Sequence, residues 1–250
     1  MRGIFRQTRW FAAVCLGLAA VWQGTAQEST RPAGLSINTW VREDVFAGFL
    51  FDDLERFEVG VKKIDEALKS NPDDPQTLAW RGDAELYRAV RAHEAGKAAE
   101  FARLYERATG MIERAYTLGP KDQGVLAITG GGYATLGDRL PAAQKAEAWK
   151  RALTRYEALA AEQAQFAAQL PLHLRGELLA GLAQSAQRSG EVEKTKKYLQ
   201  DVVDALPGSP YEPIAKRWLA EPEAAAKGKL ACQTCHDAGR LKNRLAVIGK

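Results

Sequence analysis

Leu178-Leu179-Ala180-Gly181-Leu182-Ala183-Gln184-Ser185-Ala186-Gln187-Arg188-Ser189-Gly190, continuing through Leu199 and Val202 to Pro207, is the stretch on which the fold turns. Leu179, Leu182, Ala183 and Ala186 recur at helical spacing and Gly190 interrupts them. Leu199 and Val202 then share the face of a second helix, and Pro207 closes the unit. This predicts a helical hairpin. Elsewhere beyond residue 38, Ala, Leu, Glu, Lys, Arg and Gln dominate and no apolar/polar alternation signals a strand, so the predicted class is all-α.

The same succession of small and large residues returns with a period of about 34 residues. Gly48, Phe51, Gly60, Ile64, Ala67 and Pro72 form one copy, closed by the turn Asn71-Pro72-Asp73-Asp74-Pro75. A second opens at Gly82, but its closing Ala108, Ile112, Ala115 and Pro120 come late, so the hairpin around His93 and Gly96 is expected to be lengthened. A third has Gly130, Tyr133, Gly137 and Ala142, then runs as a long helix to about Gln169, where Pro171 stops it. In each copy, a small residue early in the first helix lets the second approach closely, and large residues fill the space between hairpins. No hairpin of this kind buries that face alone.

This pattern over residues 41–219 resembles the tetratricopeptide-repeat family. The resemblance implies a TPR-like solenoid of about four repeats, the middle ones elongated, with a concave face lined by the first helices and suited to holding a protein or peptide. Ala98-Ala99-Glu100-Phe101-Ala102-Arg103-Leu104-Tyr105-Glu106-Arg107-Ala108 also resembles the periplasmic T-component of TRAP transporters. The run Ile128-Thr129-Gly130-Gly131-Gly132 lacks the Gly-Lys-Ser/Thr of a phosphate loop and falls inside a repeat helix, so it reads as close packing.

At the N-terminus, Arg2, Arg6 and Arg9 precede an uncharged stretch from Trp10 to Trp22, followed by small residues Gly24, Thr25 and Ala26. This predicts an export signal over residues 1–26, cleaved after Ala26, with residues 27–38 a polar linker. The apolar run is shorter than the roughly 20 residues that span a bilayer, although an uncleaved anchor with Trp10 and Trp22 at the two interfaces is the alternative. Val14 ahead of Cys15 argues against a lipoprotein site. Removal of the signal leaves 32 basic and 31 acidic residues, so the predicted mature chain is near neutral. That balance offers no electrostatic footprint for nucleic acid or anionic lipid. The expectation is a periplasmic or otherwise exported protein with no membrane span in the mature chain.

Beyond Leu219 a small, charged stretch over residues 220–230 reads as a second linker. It leads to a tail, residues 231–250, that carries Cys232-Gln233-Thr234-Cys235-His236. The spacing allows both thiols to form thioethers to haem vinyl groups while the adjacent imidazole ligates iron. Cys232, Cys235 and His236 are therefore the candidate attachment site for one covalent haem c, with His236 the proximal iron ligand. A tetrahedral zinc would need four ligands and there is no second cysteine pair, and a thioredoxin-like dithiol would need a βαβ context. A Cys232–Cys235 disulfide is the structural alternative.

The motif resembles that of the cytochromes c, a family that normally has a helical domain around the ring, but only 14 residues follow His236 here, a tail expected to be too short to bury a haem by itself. The ring must then lean on the helical array, a partner or another copy, with Leu241, Leu245, Val247 and Ile248 as apolar contacts. Arg240, Lys242 and Arg244 either pair with its propionates or keep the tail soluble. No sixth ligand stands out: His93 in a polar loop and His173 at a helix start are candidates, and Met111 reads as core packing.

Two functional classes follow. One is an exported redox accessory, not an enzyme, that docks to a periplasmic protein and presents a haem for electron transfer. The other is a non-redox adaptor or transport/assembly accessory with the cysteines oxidised. An open-site haem enzyme lacks a recognisable distal acid or base.

Overall fold

A computed structural model describes residues 31–231. The expected signal segment and the expected haem-attachment residues Cys232, Cys235 and His236 lie outside the described residues. Among the described residues all regular structure is helical: ten α-helices and two short 3-10 turns.

Helix α1 (Ile37–Phe51) starts where the Ser36 side chain accepts from the Thr39 amide, and it buries Ile37, Val41, Val45 and Phe49 at four-residue spacing. Asp52 ends it in a left-handed conformation, φ 53°. Asp53 then caps α2 (Leu54–Ser70) by accepting from the Arg56 amide at 3.0 Å. Asp74 accepts from the Thr77 amide at 2.8 Å and Pro75 opens α3 (Pro75–Glu94), a pairing that suits a first turn with free N–H groups and no need for a proline donor. After a tight turn at Gly96 come α4 (Ala98–Leu118) and, capped by Asp122, α5 (Gln123–Leu136). The chain continues with α6 (Ala142–Gln163), α7 (Leu172–Arg188), α8 (Val192–Ala205), α9 (Tyr211–Ala220) and the short α10 (Pro222–Lys227).

Consecutive helices pack as pairs: α1 on α2, α3 on α4, α5 on α6 and α7 on α8. The pairs meet through α1 and α2 on α3, α3 on α5, and α6 on α7, with smaller contacts of α4 on α5 and α5 on α7. The burial pattern follows from that order. α2 and α4 bury one narrow stripe each, Phe57-Gly60-Val61-Ile64 and Leu104-Ala108-Ile112-Ala115, whereas α3, α5 and α7 are buried on several faces. One apolar core runs from α1 to α7, and a second joins α7 to α8, α9 and the chain beyond.

The small residues sit at the closest approaches. A Cβ on Gly48 would lie 2.8 Å from the Phe57 side chain of α2, and one on Gly82 would lie 2.6 Å from Ile112 Cγ1 of α4. Gly132 faces the buried Asp83 of α3 in the same way, so the Gly130-Gly131-Gly132 run is packed inside α5.

Three expectations are corrected. The long helix after Ala142 ends at Gln163, and residues 167–169 form a 3-10 turn before Pro171. The added residues of the second hairpin extend α3 and α4 to 20 and 21 residues, so the connection between them stays tight and His93 lies in the last turn of α3, not in a loop. The stretch 220–230, read as a linker, contains α10 and ends in Leu230, which is fully buried.

Candidate functional site

The chain between α9 and Cys232 is strapped onto the helical array by two side chains of α7. Gln184 is a buried amide on a helix otherwise rich in small residues, and its Oε1 accepts from the backbone N–H groups of Leu230 and Ala231 at 2.6 and 3.0 Å. One turn later, Arg188 donates from Nη1 to the Ala225 carbonyl and from Nη2 to the Gly228 carbonyl, each at 2.6 Å. The same guanidinium lies 5.8 Å from the Trp149 ring centroid and pairs with Asp138 at 3.2 Å. Asp138 in turn accepts from Trp149 Nε1 at 3.1 Å. The planar fork of arginine is what permits this: a lysine would present one ammonium and could not hold two carbonyls and a carboxylate in fixed directions. At Gly228 the backbone runs so close to Trp218 that a Cβ would lie 2.7 Å from its ring.

The strap delivers Ala231, the residue before Cys232, to the wall of a cleft of about 340 Å³. Phe49 and Leu50 of α1, Ala134 and Thr135 of α5 and Gln184 of α7 contribute, so the cleft lies where the ends of several helices converge. Its volume is at the lower end of the roughly 300–1,000 Å³ usual for small-molecule and cofactor sites.

The charges in the cleft are organised around Arg139. It donates from Nε and Nη2 to the two Glu94 oxygens at 2.8 and 2.9 Å and from Nη1 to the Phe49 carbonyl at 3.3 Å. Its guanidinium lies 5.6 Å from the Tyr87 ring centroid. Tyr87 Oη donates to Asp52 Oδ1 at 2.9 Å, and Arg91 reaches the same oxygen at 2.9 Å. Arg139 holds the Glu94 carboxyl below the usual glutamate range. For Asp52 partial burial works upward, but the Tyr87 hydrogen bond and the Arg139 and Arg91 charges outweigh it and leave the carboxyl lowered. Both carboxylates are thus ionised and compensated at neutral pH. Lys229, exposed on the strap, makes no ion pair among the described residues and is the cation in excess.

Cys232, Cys235 and His236 lie outside the described residues. His93 is exposed, its ring centroid 5.6 Å from that of Phe101, and it neighbours Glu94 without lining the cleft. His173 is exposed near the start of α7, about 16 Å along the helix axis from Gln184 at 1.5 Å per residue. Met111 is half-buried on α4. Among the described residues no His, Met or Cys lines the cleft, and no group of three or more His, Cys, Asp or Glu is placed to hold a metal ion. No described helix is long and apolar enough to cross a membrane.

No family model, curated protein or solved structure matches the chain.

Sequence reasoning missed Gln184, Arg188, Arg139 and Lys229. The one available signal was Gln184, a large amide among Ala180, Gly181, Ala183 and Ala186, because a polar side chain on a face that tight needs a buried partner.

Proposed function

We propose that the chain is an exported helical-repeat scaffold of the tetratricopeptide kind that carries one covalent haem c on Cys232, Cys235 and His236. In this reading it serves as a protein-docking electron-transfer or redox accessory subunit. The supporting observation is the strap: Gln184 and Arg188 fix the backbone up to the residue before Cys232, so the motif starts at a defined place on the array.

The cleft beside Ala231 is lined mainly by polar and charged side chains, Asp52, Glu94, Arg139 and Lys229 among them, and exposes too little apolar surface to seat the ring itself. Cys232 and Cys235 would hold the ring through thioethers and His236 would ligate the iron from one side. Bound there, a c-type haem supplies a one-electron iron couple. The chain's own part is mechanical and electrostatic: α7 holds the attachment point, and Arg139 keeps Asp52 and Glu94 neutralised beside it. The stacked first helices offer the surface on which a partner docks, which sets the donor or acceptor close to the motif.

The test is an absorption spectrum and intact mass of the protein exported from a host with the c-type maturation system, beside the Cys232→Ala, Cys235→Ala double variant. The expected result is a Soret band and one added haem mass in the wild type only. A wild-type mass two protons light, without haem absorbance, would replace this reading with a non-redox adaptor closed by a Cys232–Cys235 disulfide.

A further inference from the structure

We infer that the cleft at Ala231 is a binding site for a small polar monocarboxylate, whose carboxylate lies between the Lys229 ammonium and the side-chain amide of Gln184. The site is independent of the haem reading, since every group it uses is among the described residues.

The amide is the first observation. Gln184 is only 2% exposed, yet it lines the cleft. Its Oε1 meets two backbone donors, the Leu230 and Ala231 N–H groups at 2.6 and 3.0 Å, and that settles which end of the amide is oxygen. Nε2 sits on the same carbon and is held as firmly, but among the described residues it has no hydrogen-bond partner. Folded chains rarely leave a donor on so enclosed a side chain unanswered, because it has lost its bonds to bulk water. An acceptor in the cleft completes it, and it meets a donor whose direction is already fixed.

Charge says which acceptor. Asp52 and Glu94 bring two negative charges, and Arg139 and Arg91 answer them through ion pairs of 2.8–2.9 Å. Lys229, exposed on the strap, makes no ion pair among the described residues. Three cations, Arg91, Arg139 and Lys229, thus face two carboxylates, and the surplus of one suits a single incoming carboxylate. An ammonium and a fixed N–H donor form charge-assisted hydrogen bonds to it. A second negative charge on the same ligand would be set against Asp52 and Glu94 and is disfavoured.

The cleft's size and lining define the rest of the molecule. At about 340 Å³ it admits a small molecule, and the polar groups around it suit a body that carries hydroxyl or amino groups in place of a hydrocarbon ring.

The experiment is calorimetric titration of the full chain with gluconate and glycerate, beside methyl glycerate, which lacks the charge, and tartrate, which carries two. It is repeated on Lys229→Gln and on Lys227→Gln, an exposed strap lysine that does not line the cleft. Both lysines are exposed, so neither replacement disturbs the fold. Gluconate or glycerate is expected to bind with a Kd of about 1 mM or tighter, and methyl glycerate and tartrate at least about tenfold more weakly. Lys229→Gln should weaken binding by about tenfold or more, and Lys227→Gln should leave it unchanged. Amide hydrogen exchange should slow on binding over residues 229–231. The inference is overturned if neither monocarboxylate binds by about 10 mM, a concentration that would reveal even a site of a few contacts. It is equally overturned if methyl glycerate binds as well as glycerate, or if Lys229→Gln binds as the wild type does.

Discussion

Replacing Gln184 by Met tests whether the strap is held as described. Methionine has nearly the volume and length of glutamine but no amide oxygen, so packing on α7 is kept while the Leu230 and Ala231 N–H groups lose their acceptor. A buried donor left unsatisfied costs about 1–3 kcal/mol, so two cost at least about 2 kcal/mol if the strap stays in place. The chain avoids that cost by letting the segment after α9 open, which exposes the amides to water. At about 1.4 kcal/mol per factor of ten, exchange of the Leu230 and Ala231 amides is expected to quicken by roughly 30-fold or more. Trypsin should also cut sooner after Lys227 and Lys229. The global unfolding midpoint should move much less, because the core from α1 to α7 does not include the strap. The assay is hydrogen exchange read by mass spectrometry at short labelling times, with Gln200→Met on the exposed side of α8 as control. Unchanged exchange at residues 230–231 with unchanged proteolysis would refute the clamp.

Gly82→Ala should destabilise the fold by about 1–3 kcal/mol of overpacking, read as a lower urea unfolding midpoint. Its new methyl would lie 2.6 Å from Ile112 Cγ1 and 3.0 Å from the Ile112 backbone nitrogen, and the helix-propensity gain of about 1 kcal/mol recovers only part of that. Asp83 is fully enclosed, and burial pushes its carboxyl well above the ordinary aspartate range. The folded chain then keeps a proton that the unfolded chain releases above about pH 3.9, so stability falls as pH rises from there towards the folded-state value. Asp83→Asn should flatten that fall and be the more stable protein at pH 7 but not at pH 3.5, as read from urea midpoints at the two pH values. A steeper pH dependence in the variant would contradict this.

The helices of the array were legible because their signals are local. Phe57, Gly60, Val61 and Ile64 repeat at three and four residues, and Asp53, Asp74 and Asp122 stand where N-caps belong. The end of α6 was not legible in the same way. Residues 164–170 hold nothing hostile to a helix, and Pro171 marks only where a helix must already have stopped. The strap was hidden for a different reason. Glu221-Pro222-Glu223-Ala224-Ala225-Ala226-Lys227-Gly228-Lys229 has the composition of a spacer, and what orders it comes from Gln184 and Arg188, some 40 positions earlier. Such pairings leave no periodicity to read. The Cys232-x-x-Cys235-His236 spacing was visible at once, but the cleft at Ala231 is assembled from four helices and the strap, with no local sequence signature.

Arg188 also gives the molecule a mechanical property. Its guanidinium ties the strap carbonyls at Ala225 and Gly228 to Asp138 and Trp149, at the corner between α5 and α6. Tension on the chain after Ala231 is therefore carried past the last two helices and into the middle of the array. Under such load the strap and the α5–α6 corner bear the force together, and α9 is not peeled away first.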